Sequence, residues 1–428
     1  MYEKFHHGEQ LKRLVTSAEE KIKDYHKSID QVVEENQLRI LEAYQAHQVS
    51  DFHFTPSTGY GYDDVGRDTL EQLYADVFGA EAGLVRPQII SGTHAIATVL
   101  FGLLRPGDEL LYITGTPYDT LEEIVGVRGS NNGSLKEFGI SYQAIPLTNE
   151  GKVDYSQVKE SITEKTKVIG IQRSKGYANR PSFFIEEIKE MVEFVKSIKN
   201  DVIVFVDNCY GEFVETMEPP HVGADIIAGS LIKNPGGGIV KTGGYIVGKK
   251  KLVELASYRL AAPGIGAEGG ASLYSLLEMY QGFFLAPHVV GQALKGALFT
   301  AACLEEIGLQ TNPKWNEKRT DLIQSVQFND RERMVSFCQA IQAASPINSH
   351  VTPHPSPMPG YEDDVIMAAG TFIQGASIEL SADGPLREPF VAYVQGGLTY
   401  SHVKIAVLKA VDQLLKDELI GPKTNSVI

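Results

Sequence analysis

The stretch ADIIAGSLIKNPGGGIVKTGG, residues 224–244, decides the fold class. The apolar run from Ile226 to Ile232 is typical of a buried strand, and it ends at Lys233, with a Gly-rich segment close behind. Lysine is rarely buried, because removing an ammonium group from water costs free energy. A lysine at this position therefore suggests a chemical role, although a side chain reaching from the strand end into solvent is the alternative.

Similar short runs occur on the N-terminal side of this stretch. ELLYITG, TKVIGIQ and DVIVFVD are rich in apolar and β-branched residues, and helical patterns separate them. This alternation predicts an α/β fold with a largely parallel sheet covered by helices on both faces. An amphipathic helical pattern precedes the strands, and a long helix follows them. We expect a helical N-terminal arm (residues 1–55), a large domain (56–285) and a small C-terminal domain (286–428).

The composition excludes several classes of protein. The 428 residues include 39 Lys and Arg against 54 Asp and Glu, a formal charge of −15. An acidic chain without a basic block is a poor candidate for nucleic-acid binding. Its three cysteines are widely spaced and match neither a disulfide framework nor a zinc site. Without a signal-peptide pattern or an apolar run long enough to span a bilayer, we expect a soluble cytoplasmic protein.

Two residues at predicted strand ends suggest one chemistry. The amine of Lys233 could form a Schiff base with an aldehyde, and burial should lower its pKa. Asp207 ends the run DVIVFVD, at the strand end where ligands bind in open α/β sheets. Its carboxylate could pair with a protonated pyridine nitrogen. A cap on the following segment is the alternative for Asp207.

Two further sequence features could bind other parts of the same ligand. Ser91, Gly92 and Thr93 open a predicted helix, where free N–H groups and hydroxyls favour a phosphate, although a simple helix cap would look alike. Tyr118 follows another predicted strand and could stack on a flat ring, or could be an ordinary loop residue. An aldehyde, a pyridine nitrogen, a phosphate and an aromatic ring occur together in pyridoxal 5'-phosphate, which we therefore predict as the cofactor.

The sequence around these residues resembles a known family. VFVDNCYGEF and GADIIAGSLIKNPGGG are similar to the cysteine- and methionine-metabolism branch of the pyridoxal-phosphate enzymes, with Asp207, Asn208 and Tyr210 in one motif and Ser230 and Lys233 in the other. PYDTLEE, LIKNPGGGI and YVQGGLTYSHVK bring the chain closer to the methionine gamma-lyase-like or aluminium-resistance proteins. The similarity extends over nearly the whole chain.

The resemblance implies a fold and an activity. The fold would be the fold-type I pyridoxal-phosphate-dependent transferase fold, with a mostly parallel seven-stranded sheet and a small α+β C-terminal domain. The activity would be that of a carbon–sulfur lyase acting on cystathionine, methionine or cysteine by β- or γ-elimination. Lys233 would remove the α-proton, Asp207 would keep the ring protonated, and Lys233 or Tyr118 would protonate the leaving sulfur.

The resemblance also implies contacts of the cofactor and the substrate. Ser230 would lie at the cofactor, and Tyr60 would reach the phosphate from a neighbouring subunit of a homodimer or homotetramer. The substrate carboxylate needs a forked cation, for which Arg387 is the first candidate and Arg173 the second.

The chain departs from its better-known relatives at two points. Where they carry a Tyr-x-Arg pair for the phosphate, Tyr62 is followed by Asp63, and Arg67 could replace the missing arginine. Ile232 precedes the lysine, where several relatives have a threonine. Both departures concern the contacts of the phosphate.

Alternatives remain at this stage. The same residues could serve another pyridoxal-phosphate reaction, such as an aldolase or replacement reaction, or a stress or metal-resistance protein that binds the cofactor without turnover. A nucleotide-binding loop in NPGGGIVKTGG is disfavoured, because it lacks the P-loop spacing. The acidic pairs Asp63–Asp64 and Asp363–Asp364 are interpreted as solvated loop charges, and no metal site is predicted.

Overall fold

The computed structural model describes residues 1–178, 180–358 and 361–421. The described residues form two compact units, one within residues 35–286 and one from residues 1–34 together with 287–421. The first 34 residues thus belong with the C-terminal part, whereas the sequence predicted a separate arm. Residues 422–428 of the predicted C-terminal domain lie outside the described residues.

The larger unit contains a seven-stranded sheet in the order β1-β7-β6-β5-β4-β2-β3. The strands are β1 (Ala82–Arg86), β2 (Glu109–Tyr112), β3 (Ser141–Ala144), β4 (Thr166–Gln172), β5 (Ile203–Asp207), β6 (Ile226–Ser230) and β7 (Gly244–Gly248). Strands β3, β2, β4, β5 and β6 pair in parallel, and β7 is antiparallel to both of its neighbours. The predicted α/β fold with a mostly parallel sheet of seven strands is confirmed.

Helices connect strands β1 to β5: α3 (Gly92–Leu103), α4 (Asp119–Val125), α5 (Tyr155–Ser161) and α6 (Ile185–Ile198). Before β1 come α1 (Gly8–Ala46), which begins in the smaller unit, and α2 (Val65–Phe78); after β7 come α7 (Lys250–Leu260) and α8 (Leu276–Glu306), which ends in the smaller unit. Val99 and Leu100 of α3 belong to the same buried apolar cluster as Phe205, Ile226 and Ile246 of the sheet. Every residue of β5, β6 and β7 is buried, which explains why these strands read as continuous apolar runs in the sequence.

The smaller unit has an antiparallel sheet of its own, in the order β10-β11-β12-β9-β8. Its elements are β8 (Gln310–Asn312), β9 (Gln324–Gln327), α9 (Arg331–Ala343), β10 (Val365–Ala368), β11 (Ser381–Pro385), β12 (Val391–Gln395) and α10 (Tyr400–Lys416). Leu11, Leu14, Ala18 and Ile22 of α1 are buried in its apolar core, so their helical spacing reflects packing within this unit. Among the described residues no helix is both long and apolar enough to cross a membrane.

Candidate active site

A cavity of about 240 Å³ lies where β4, β5 and β6 end and α3 begins. Seven residues predicted to bind the cofactor line it together: Ser91, Gly92, Thr93, Tyr118, Asp207, Ser230 and Lys233. The parallel strands explain this convergence, since their carboxyl ends meet at one edge of the sheet.

The turn that opens α3 lies at this edge. Ser91 caps the helix, and its Oγ accepts a hydrogen bond from the His94 N–H at 3.0 Å. The capping alternative for this hydroxyl is therefore correct, but the first N–H groups of a helix also lack partners within the helix and can bind an anion. Gly92 allows close packing, because a Cβ there would lie 3.3 Å from Cys209 Sγ and 3.4 Å from Ser230 Cβ. The turn thus suits the phosphate of the predicted cofactor.

Asp207 is the last residue of β5 and is buried. Its Oδ1 accepts a hydrogen bond from the Cys209 N–H at 3.1 Å. Burial raises the pKa of Asp207, while Lys233 and the Cys209 N–H oppose that rise. A buried carboxylate of this kind is stabilised by a nearby cation, and a protonated pyridine nitrogen would provide one.

Lys233 is partly buried, and its Nζ lies 4.0 Å from the centroid of the Tyr210 ring. Tyr210 has a φ of 72°, which costs a non-glycine residue free energy and is common at functional sites. Burial lowers the pKa of Lys233, but Cys209, Tyr210, Asp207 and Glu212 together raise it above its ordinary value. The expectation of a lowered pKa is therefore wrong for this structure, because acidic groups surround the amine.

Tyr118 precedes α4, and its N–H donates to Gln172 Oε1 at 2.7 Å. A Cβ on Gly176 would lie 2.9 Å from the Tyr118 ring, so the segment around Gly176 passes close to the ring. Gln172, Ser174 and Thr120 also line the cavity, and the sequence analysis missed them. The position of Gln172 at the end of β4 is the signal that could have identified it.

The two arginines predicted to bind the substrate carboxylate lie in different environments. Arg173 does not line the cavity. Its fully buried guanidinium donates to Asn208 Oδ1 at 2.9 Å and forms ion pairs with Glu215 and Glu218 at 2.9 and 3.4 Å. These carboxylates already compensate its charge. Arg387 belongs to the smaller unit, where its half-exposed side chain pairs with Asp363 at 3.3 Å.

A third arginine, Arg319, lies in the smaller unit and was not predicted from the sequence. Its Nη2 donates to Gln324 Oε1 at 2.6 Å. Its Nε and Nη1 are buried and have no hydrogen-bond acceptor among the residues that the structure describes. Burial lowers the pKa of Arg319 to about 10. Nothing in the polar stretch that contains it marks this arginine out.

Tyr60 is 79% exposed, and its ring stacks on Tyr62 with centroids 5.5 Å apart. Arg67, considered as a replacement for the missing phosphate arginine, is buried and donates to the carbonyl oxygens of Gly61 and Gly270 at 2.5 and 2.9 Å. Its guanidinium therefore stabilises its own loop. Asp64 caps α2 by accepting from the Arg67 N–H, so this acidic residue has a structural role.

Comparison with known proteins places this site in a family. The sequence model of the methionine gamma-lyase family matches residues 11–415. The chain belongs to this family. A protein of Bacillus subtilis, named uncharacterized protein YnbB, is 71% identical to this chain. The match covers 98% of this chain and 100% of the Bacillus protein.

Two solved structures are also similar to this family member. One, from Listeria monocytogenes, is described as a proposed cystathionine beta-lyase involved in aluminum resistance. It is 68% identical, with 94% of this chain and 99% of that chain covered and a TM-score of 0.92. The other, a carbon-sulfur lyase involved in aluminum resistance from Clostridium novyi, is 49% identical, with 95% and 96% covered and a TM-score of 0.91.

The fold extends to more distant proteins. A pyridoxal-5'-phosphate-dependent protein of Escherichia coli, YhfS, shares it with a TM-score of 0.59 at 16% identity. The nucleotide-loop alternative has the wrong geometry, because β7 and not a helix follows Lys241 and Thr242. The cavity has the groups to bind the predicted pyridoxal phosphate, with Lys233, Asp207 and the residues 91–93 turn in its lining.

Proposed function

We propose that the protein is a pyridoxal-phosphate-dependent carbon–sulfur lyase that acts on a sulfur amino acid, cystathionine, methionine or cysteine, by β- or γ-elimination. The observation that carries the proposal is the meeting of Lys233, Asp207, Tyr118 and the residues 91–93 turn in one cavity. The name of the Clostridium relative as a carbon-sulfur lyase supports this reaction class.

Each residue has a role that follows from its chemistry. When bound, the cofactor supplies a ring that takes up the electron pair released as the substrate loses its α-proton. Lys233 would hold the cofactor through its aldehyde, and its free amine would remove the α-proton of the substrate. Asp207 would keep the pyridine nitrogen protonated, and Tyr118 would pack against the ring. The Tyr118 hydroxyl or the Lys233 amine then gives a proton to the departing sulfur.

The substrate carboxylate requires a cation with free donors. Arg173 is the weakest candidate, because its charge is compensated by Glu215 and Glu218. Arg387 remains the candidate that the family resemblance implies. Loss of the cation that binds the carboxylate should raise KM strongly, so the KM of Arg387→Met, compared with that of the unaltered chain, tests this role.

We also propose that the protein forms a dimer through the loops that carry Tyr60. The Gly270 N–H donates to the Tyr60 carbonyl oxygen at 2.8 Å, and the Leu273 N–H donates to the Ser57 carbonyl oxygen at 3.1 Å, so the two loops form one surface. Large apolar side chains are exposed on these loops and just beyond them: Tyr60, Tyr62, Ile265, Leu273, Tyr274 and Leu277. Exposed apolar groups of this kind favour burial against a partner.

The test is a panel of amino acids incubated with the protein and pyridoxal phosphate. Release of a keto acid, ammonia and a thiol from cystathionine, methionine or cysteine supports the proposal, and Lys233→Ala is the control. Products of carbon–carbon cleavage or of replacement would show another reaction of the same cofactor. Cofactor binding without any product above the Lys233→Ala control would show a passive binder.

A further inference from the structure

A second carboxyl group, that of Glu212, lies on the loop that follows Asp207 but does not line the cavity. Its side chain is fully buried. Glu212 Oε1 accepts a hydrogen bond from the Tyr245 hydroxyl at 2.6 Å, whereas Oε2 has no partner among the described residues. The Glu212 carbonyl oxygen accepts from Asn234 Nδ2 at 2.9 Å. The loop of Glu212 is thus fixed to the residue that follows Lys233.

The hydroxyl that binds Glu212 is itself held in place. The Tyr245 ring lies over Gly229 of β6, where an added Cβ would be only 2.5 Å from a ring atom. Tyr74 and Phe78 of α2 pack around the same ring, with centroid distances of 5.9 and 5.5 Å. Glu212 Oε1 therefore has a fixed donor, and Oε2 has no partner within the part of the chain that the structure describes.

Charges around Glu212 connect it to the lysine. The titratable groups that act on Glu212 or Lys233 are Tyr74 of α2, Asp207, Cys209, Tyr210 and Glu218 around the loop, and Tyr245 of β7. Burial raises the pKa of Glu212 to about 8, although Tyr245 and Lys233 oppose the rise. Glu212 and Lys233 thus belong to one buried cluster of titratable groups around this loop.

We propose that Glu212 is a positioning residue that sets the charge of Lys233. Ionised, Glu212 holds the Lys233 nitrogen in its protonated form; neutral, it leaves that nitrogen free to lose its proton. An opposite charge at short range commonly shifts a titration by about one to three pH units. Since Lys233 must be neutral to remove a proton, Glu212 would set the pH range of the reaction. The inference rests on the proposed function, because it concerns the lysine that holds the cofactor.

The test uses the full chain loaded with pyridoxal phosphate. The visible absorbance of the bound cofactor, followed between about pH 6 and pH 10, reports the proton on the nitrogen that Lys233 contributes. Glu212→Gln keeps the shape of the side chain and an acceptor for Tyr245, but it cannot ionise. We expect its absorbance midpoint to fall by about one pH unit, and the pH profile of kcat to move with it. An unchanged midpoint would overturn the inference.

Two further variants keep the test decisive. Tyr245→Phe retains the ring over Gly229 but removes the hydrogen-bond donor to Glu212. The absorbance midpoint should therefore fall, but by less than in Glu212→Gln. If Glu212→Gln fails to fold, the result for Tyr245→Phe decides the test. Glu278→Gln is the matched control, since Glu278 pairs with Lys241 at the surface, and it should leave the midpoint unchanged. Absence of cofactor on Lys233 in the unaltered chain would overturn the proposed function itself. Normal loading with no shift in either variant would overturn the role of Glu212 alone.

Discussion

Replacing Glu212 by glutamine should stabilise the fold at alkaline pH. In the folded chain burial raises the pKa of Glu212 from 4.5 to about 8. Between these two values the unfolded chain has released the proton and the folded chain still holds it, so stability falls as pH rises. The cost is about 1.4 kcal/mol in the free energy of unfolding per pH unit, and it reaches about 5 kcal/mol above pH 8. Glutamine does not ionise and escapes this cost.

Urea unfolding of the two proteins at equal cofactor content, at several values between about pH 5 and pH 9, measures the difference. Any effect of the amide on packing adds a constant offset, so the slope against pH is the decisive quantity. The advantage of Glu212→Gln should grow up to about pH 8 and then level off. A difference that stays constant, or that turns in favour of the unaltered chain as pH rises, would show that Glu212 is ionised and paired with Lys233 throughout.

Four further outcomes are expected. Borohydride reduction and peptide mapping should find the pyridoxyl label on Lys233, whereas a label on the exposed, ion-paired Lys241 would contradict the assignment. Asp207→Asn should keep the cofactor, seen by its absorbance, but lose about a hundredfold or more in kcat, because an amide does not hold the pyridine nitrogen protonated; normal turnover would assign that task to another acid. Tyr118→Phe should slow elimination by about a hundredfold if its hydroxyl protonates the sulfur, and an unchanged rate would leave Lys233 as the donor. Tyr274→Glu should lower the mass measured by light scattering, since this side chain is 83% exposed on the proposed dimer surface; a monomeric, fully active parent chain would refute the dimer.

The fold was largely predictable from the sequence because its central strands are buried on both faces. Such strands appear as uninterrupted apolar runs, and each run of this kind predicts one strand. The antiparallel direction of β7 was not predictable, since strand direction leaves no trace in the apolar pattern. The packing of Leu11 and Leu14 with the C-terminal part was likewise hidden, because an amphipathic helix shows that one face is covered but not by what.

The site was predictable where chemistry and strand ends coincide, as at Lys233 and Asp207. Glu212 gave no such signal, because it lies in a loop where an acidic residue is ordinarily solvated. Only the three-dimensional structure shows that its side chain is buried beside Tyr245. Arg319 is hidden for the same reason, since burial of its Nε and Nη1 cannot be read from a polar stretch.

Gln172 and Arg173 are neighbours in the sequence but lie on different sides of the sheet. Successive side chains at a strand end point to opposite faces of the sheet, so Gln172 lines the cavity and Arg173 does not. The neighbouring strand repeats the pattern, with Asp207 in the cavity and Asn208 outside it. Gln172 and Asp207 are register partners across β4 and β5.

The same register brings Arg173 and Asn208 together. Arg173 Nη1 donates a hydrogen bond to Asn208 Oδ1 at 2.9 Å. Asn208 Nδ2 in turn donates to Glu218 Oε2 at 2.9 Å, and Glu218 Oε1 accepts the Phe213 N–H at 2.8 Å. These bonds hold the loop in which Tyr210 adopts its positive φ beside Lys233. The Asp-Asn-x-Tyr motif therefore joins a residue that lines the cavity to one that holds the loop, because consecutive residues at the strand end point to opposite faces of the sheet.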